Sequence, residues 1–378
     1  MTTLEPASLL SAFLRHPPEG FEILALPAPC REPAFAADFD LLTTADAALL
    51  TQVRGLPGYR WWGRWLHVRT AFVGTTVSEY LPLPAAPCVL PQVRVAAWRA
   101  LAARFRLLVV KDLPRHSPLL GAQGNLAADA LAQACAHAGF VLLEGQQLAY
   151  VDIDFVSVDV YLARLSASRR KNIRRKLRSR ADLDIVMLPT GDAQFDDAAT
   201  IDAYYALYLN VYAQSEIHFD LLSRAFFECV LRDAASGGIV FAYQHAGELI
   251  GFNLCFEQGG KLIDKYVGFK YPQARTHNLY AVSWIVNLEH AVARGLTHYV
   301  AGWTDPQVKA ELGARFTATR HAVYVRNPLL RGLARRVAHR FEADRAWKDG
   351  TSEDGAAKDG AGKDGAGRVP PRGAGGRP

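Results

Sequence analysis

The chain has 378 residues, half of them hydrophobic in type, with 43 Lys and Arg against 37 Asp and Glu and a formal net charge of +6. That is enough apolar material for a large core and two domains, yet no run of eighteen apolar residues spans a bilayer, and Glu5 interrupts the N-terminus where a secretory signal would be apolar. Five cysteines (Cys30, Cys88, Cys135, Cys229, Cys255) lie scattered without a close pair, which gives no metal-ligand spacing and points to reduced, buried thiols in a cytoplasm.

The first lobe, residues 1–148, reads as strands at 21–26 and 65–77, a helix at 93–104, a strand at 107–112, a helix at 125–138 halted by Gly139, and a strand at 140–148. Proline-rich stretches at 27–33 and 81–91 read as surface loops. The second lobe, residues 149–328, opens on a basic run in which 169–180 holds eight Lys and Arg and no acid. Without those eight, 35 basic residues face 37 acidic ones, so the positive excess is one local patch. Ser168 can cap a helix there, with Ile173 and Leu177 on its narrow apolar face. Three readings fit the run. It can be a structural helix laid on the acidic 182–197 region, a phosphate contact for tRNA or another nucleic acid, or a seat on an anionic membrane helped by a helix at 329–347. The contacting cations would be Arg169, Arg170, Lys171, Arg174, Arg175, Lys176 and Arg178. Helices near 199–212 and 220–235 follow, and the polar break between them holds Glu216 and His218.

Residues 240–315 are the most informative. Gly259-Gly260 separates alternating runs at 249–257 and 261–269, a hairpin signal. Alternation sets Lys265 on the side of Ile263, Val267 and Phe269, where an ammonium among apolar neighbours needs an anionic or polar partner. Asn253 falls on the side of Gly251 and Cys255, a small-residue floor that a ligand can approach. Residues 278–294 read as a nearly apolar helix with one polar stripe (Ser283, Asn287, His290, Arg294), ended by Gly295. A strand at 297–303 can then run parallel to 261–269 through a right-handed crossover. Asp305 and Pro306 cap and open a short helix that carries an exposed Lys309 and closes at Gly313. This order sets a helix N-terminus beside the strand ends, a position suited to an anion. Residues 329–347 read as an amphipathic helix with Leu330, Leu333, Val337 and Phe341 in one stripe and arginines opposite. The tail, 348–378, repeats EDGAA, KDGAG, KDGAG, cannot bury a core and reads as disordered.

The stretch DKYVGFKYPQARTHNLYAVSWIVNLEHAVARGLTHYVAGWTDPQVKAELGAR, with SRRKNIRRKLR and LNVYAQSEIHFD upstream, resembles the Fem-type branch of the GNAT acyltransferase superfamily. Members are N-acetyltransferases or peptidoglycan-biosynthesis proteins. The similarity runs from residue 157 to 328, and RLLVVKDLP extends it into the first lobe. The resemblance implies an α+β fold of two tandem GNAT-like lobes, the first degenerate, each a mixed sheet flanked by helices. It also implies attack by an amine on a thioester or ester carbonyl held between two splayed parallel strands, here 261–269 and 297–303. The donor so implied is acyl-coenzyme A. The glycine-rich pyrophosphate loop is absent, however, and Phe269 to His277 stand in its position, so an aminoacyl-tRNA donor is the alternative. No metal is expected.

Acyl transfer to an amine needs a base, donors for the oxyanion, a proton source and a held donor. Glu216 and His218 are candidates for the base, with helix capping and solvation as the competing reading. Tyr266 can protonate the leaving group or simply pack. Lys265, Lys309 and Arg315 read as anion-holding groups, and Trp303 as a pocket wall or a core residue. Arg275 and His277 can replace the glycine loop or be solvated loop residues. The expected protein is a cytoplasmic N-acyltransferase whose small-molecule amine or peptide acceptor enters over Asn253 and Trp303. The rival is a non-catalytic binder of polyanions on the same fold.

Overall fold

Segments rich in β-branched and aromatic residues form the strands of one mixed sheet in the computed structural model, which describes residues 3–42, 47–83, 89–215 and 218–337. The strands are β1 (Glu22–Ile23), β2 (Ala34–Asp40), β3 (His67–Val73), β4 (Leu107–Pro114), β5 (Val141–Asp152) and β6 (Asp184–Pro189). They continue with β7 (Gly238–His245), β8 (Glu248–Gln258), β9 (Lys261–Phe269), β10 (His298–Gly302) and β11 (Arg315–Val325). Their spatial order is β1-β2-β3-β4-β11-β5-β10-β9-β8-β7-β6. The last strand, β11, lies between β4 and β5 and is antiparallel to both. Sheet and core therefore run on across residue 148, and Phe35 and Phe72 share one apolar cluster with Phe226 and Phe252.

The helix Leu279–Ala293 is buried almost all round, as its composition requires, and packs on one face of β7–β10 together with Tyr161, Leu162 and Ile173. The other face is covered by the helices Ala7–Arg15, Ala198–Gln214 and Arg224–Leu231. The Gly259-Gly260 turn is realised with both residues at positive φ, 55° and 72°, and joins β8 to β9.

Several elements depart from the sequence reading. The helix Ala7–Arg15 and strands β2 and β6 were not expected. β6 is an edge strand with no fully buried residue, so its hydrophobic pattern is weak. The strand expected at 65–77 is confined to His67–Val73. Ser223, which accepts the Phe226 N–H at 3.2 Å, starts the helix expected at 220–235, and this leaves Asp220 in the preceding loop. The basic helix, Ala167–Lys176, is capped by Ser166 instead of Ser168. Among the described residues no ion pair joins it to the 182–197 acids, and part of that segment forms β6. Its flank instead pairs Arg174 with Asp159 (3.4 Å) and Arg180 with Glu289 (2.8 Å). Of the C-terminal helix, Pro328–Val337 is described. Glu216, Cys88, residues 338–347 and the tail lie outside the described residues.

The largest departure is in β9. Leu254 pairs with Tyr266 and Cys255 with Asp264, so Lys265 is the extra residue of a β-bulge. It shares a face with Ile263, but beyond the bulge Val267 and Phe269 turn to the opposite face, towards the helix Leu279–Ala293.

Candidate active site

Strands β9 and β10 pair through only three registers, His298 with Lys261, Tyr299 with Leu262 and Val300 with Ile263. Beyond them the strands part, the bulge at Lys265 on one side and a register shift between Val300 and Gly302 on the other. Gly302 has φ of 78°, and a side chain there would meet Lys309 Nζ at 3.9 Å and the Asp264 carbonyl at 4.0 Å. Lys309 therefore occupies the opening. It is 4% exposed, where an exposed lysine was expected. Its short helix, Pro306–Glu311, folds back over the strand ends, and the Tyr161 hydroxyl donates to the Leu312 carbonyl at its end. Asp305 holds the N-cap position without a side-chain cap bond. Burial lowers the Lys309 pKa to about 8, against the opposing pull of Asp264, Asp305 and Glu79.

On the helix-covered face of the opening lies Asp264. Its carboxylate accepts from Asn253 (2.9 and 3.0 Å), Asn287 (3.0 Å) and the Tyr299 hydroxyl (2.8 Å). Burial raises its pKa even so. Asn253, 2% exposed, supports this carboxylate under the helix instead of forming an open floor for a ligand.

The opposite face holds Lys265. Its ammonium meets Glu79 at 2.6 Å and Glu5 at 3.7 Å, so its charge is already matched within the protein. Glu5 also accepts the Glu79 backbone N–H at 2.6 Å. Burial, assisted by Glu79 and opposed by Lys265, raises the Glu5 pKa to about 7. Burial likewise raises Asp220, which Lys111 and Lys265 partly offset. Among the described residues, Glu5 Oε2, Glu79 Oε2 and the Tyr266 hydroxyl are buried with no hydrogen-bond partner. Tyr266 packs on Phe226 and Phe227 beside them, and Trp303 packs with Leu4, Tyr80 and Ile263 on this same face.

A cleft of about 320 Å³ adjoins the C-terminal end of β9. The basic helix lines it with Arg169 and Lys176, and Tyr271, Arg275 and Tyr280 face them. Arg275 lies 5.0 Å over the Tyr271 ring and donates to Gln214 at 3.0 Å. Cations interleaved with aromatic rings suit an anionic group that carries a planar ring.

Thus Lys265, Tyr266, Trp303 and Lys309 gather at the opening, and Arg169, Lys176 and Arg275 at the cleft. The remaining candidates go elsewhere. The His277 ring lies tilted against that of His245 with centroids 4.2 Å apart, Arg315 pairs with Asp152 at 2.5 Å, and the exposed His218 ring lies 5.1 Å from that of Tyr212. Arg170 bonds the carbonyls of Ala163 and Leu165, and Arg175 bonds Asn172. Sequence reasoning missed Asp264, Glu5, Glu79 and Asp220. For Asp264 a signal existed, since with Lys265 it stands between the apolar pairs Leu262-Ile263 and Tyr266-Val267 without a turn residue beside it.

A family model, FemAB-like, described as peptidoglycan biosynthesis/recognition, matches residues 88–349. The chain belongs to the FemAB-like family. No curated protein sequence matches it. Among solved structures, this FemAB-like chain is similar to the C-terminal domain of an Agrobacterium fabrum protein described as a lysylphosphatidylglycerol synthetase. The identity is 13% and the TM-score 0.50, covering 87% of this chain and 89% of that one. L-PGS from Bacillus licheniformis is similar at 10% identity and TM-score 0.50, covering 89% and 98%. FemX matches at 11% identity and TM-score 0.48, covering 88% and 94%. At these identities the two structures at TM-score 0.50 show a shared α+β fold alone. Membership of the FemAB-like family supports an acyl or aminoacyl transferase. No described helix is long and apolar enough to cross a membrane.

Proposed function

We propose that the chain transfers an aminoacyl group from an aminoacyl-tRNA to an amine, with the ester carbonyl held in the opening between β9 and β10. The observation that carries this reading is the buried Lys309 within that opening. A cation in a dry site beside a carbonyl stabilises the negative charge that develops on its oxygen far better than it would in water. The amine nitrogen attacks the ester carbon, the C–N bond forms and the C–O bond to the ribose breaks. The ammonium proton leaves to a carboxylate on the Glu5–Glu79 face, and the departing ribose oxygen is protonated from the Lys309 or Tyr266 side. The unpartnered Glu5 and Glu79 oxygens suit an acceptor ammonium. The cleft with Arg169, Lys176 and Arg275 suits the phosphates and terminal bases of the donor.

Acyl-coenzyme A is the second donor considered, and the cleft's cations would serve its phosphates equally. The basic helix along the cleft, together with the missing glycine loop, favours the longer polyanion. The experiment is transfer of a labelled group from charged tRNAs and from acyl-coenzyme A to a panel of peptide and small-molecule amines. Turnover with charged tRNA, reduced about 10²–10³-fold in Lys309→Ala, supports the reading. Turnover with acyl-coenzyme A alone reassigns the donor. No turnover with either, or an unchanged rate in Lys309→Ala, overturns the site.

A further inference from the structure

The end of the sheet where β3 and β4 begin and β11 finishes carries an apolar and cationic surface that the transfer reaction does not use. Thr70 of β3 pairs with Leu107 of β4, and Leu107 pairs with Val325 of β11. The segment 56–66, which enters β3, and the helix Pro328–Val337, which follows β11, therefore emerge at one end of neighbouring strands.

Both segments turn large apolar side chains outward. Trp61 is 81% exposed, Trp65 71% and Leu56 51%. In the first, Trp62 folds the turn on itself: its indole N–H donates to the Pro57 carbonyl at 3.1 Å, and its ring meets Tyr59 edge-on at 5.2 Å. That staple leaves its neighbours Trp61 and Trp65 facing away. In the second segment, Leu329 is 83% exposed and Leu330 and Leu333 are 56% each. Isolated exposed leucines need no explanation, but two indoles and four leucines on the two segments that leave this sheet end are more large apolar side chains than soluble proteins usually leave in water.

Within each of the two segments the charge has one sign, while the acids Glu22, Asp38 and Asp40 of the neighbouring strands lie beside Arg69 and His67. Residues 47–69 contain Arg54, Arg60, Arg64 and Arg69 and no acid, and residues 326–337 contain Arg326, Arg331, Arg335 and Arg336 and no acid. Only Arg69 among these forms an ion pair with a described residue. Tryptophan and leucine flanked by arginine match the headgroup boundary of an anionic bilayer, where indoles sit at the interface and guanidinium groups meet phosphates. A second copy packed through these same two segments would bring arginine against arginine.

We infer that this end of the sheet is a docking surface for an anionic phospholipid bilayer, with Trp61, Trp65, Leu329 and Leu333 entering the interface and Arg60, Arg64 and Arg335 meeting the headgroups. Docking is peripheral and reversible, and it is independent of the basic helix at the cleft.

The test is co-sedimentation of the full chain with vesicles of phosphatidylcholine, alone or mixed with phosphatidylglycerol. The wild type sediments with the mixed vesicles and far less with phosphatidylcholine alone. Trp61→Ser and Trp65→Ser each weaken binding about tenfold, and Leu329→Ser with Leu333→Ser does so from the second element. Arg60→Glu with Arg64→Glu removes the preference for the anionic lipid. All these side chains are exposed, so thermal unfolding stays at the wild-type temperature. Three results overturn the inference: no sedimentation of the wild type, wild-type binding by both the tryptophan and the leucine variants, or a concentration-dependent dimer that the tryptophan substitutions dissolve while lipid binding is absent.

Discussion

Lys265 and Tyr266 are consecutive in β9 yet project to the same face of the sheet, because Lys265 is the extra residue of a bulge opposite the Leu254–Cys255 step. The bulge delivers an ammonium to Glu79 and Glu5 and turns β9 away from β10 at the point where their pairing stops. One local irregularity thus builds the ion cluster and opens the site.

Lys265→Met leaves two buried carboxylates without their cation. A loss of about 3–5 kcal/mol in urea unfolding is expected, and Lys265→Met combined with Glu79→Gln recovers part of it. A loss below about 1 kcal/mol would show that the cluster is solvated.

Glu5 binds its proton more tightly in the folded chain than in the unfolded one, its pKa being raised to about 7 by burial. Between the unfolded value and about 7 the native state holds more protons, so stability falls as pH rises through that window. Its contribution is complete at pH below the ordinary carboxylate range and is on the order of 3 kcal/mol. Glu5→Gln flattens this slope in unfolding curves taken from pH 4 to pH 8.

Lys309, with its pKa lowered to about 8, loses its charge just above neutral pH. Transfer at saturating substrate falls as pH rises through about 8. Lys309→Arg keeps its charge over the whole range, so its pH–rate profile loses that descending limb even where its absolute rate is lower.

Arg169→Glu with Lys176→Glu reverses charge at the cleft without touching the opening. We expect KM for charged tRNA to rise at least tenfold, with kcat little changed. The dependence of log KM on log salt should flatten by about one unit for each phosphate that the protein no longer neutralises.

Local signals carried much of the fold. The Gly259-Gly260 hairpin, the apolar helix ending at Gly295 and the strand after it each announce themselves within a few residues, and each forms where expected. Asp264 was legible in principle, as an acid that stands with Lys265 between two apolar pairs. The Glu79–Lys265 pair was not, since its members are 186 residues apart and no local pattern links them. Nor was the bulge read, although the charged pair Asp264-Lys265 between the apolar pairs Leu262-Ile263 and Tyr266-Val267 breaks the alternation there. Lys309 was misjudged for a related reason: a short amphipathic turn reads as solvent-facing unless one knows that it folds back over parted strands.

The position of β11 has a consequence for how the chain reaches its native state. Strands β4 and β5 face each other only through Arg315–Val325, so the first lobe keeps two open strand edges until almost the whole folded sequence has left the ribosome. Split at residue 148, the first fragment would expose the edges of β4 and of most of β5, and the second fragment the edges of β11 and β10. Reassembly of the two pieces should therefore compete with aggregation in a way that the intact polypeptide avoids.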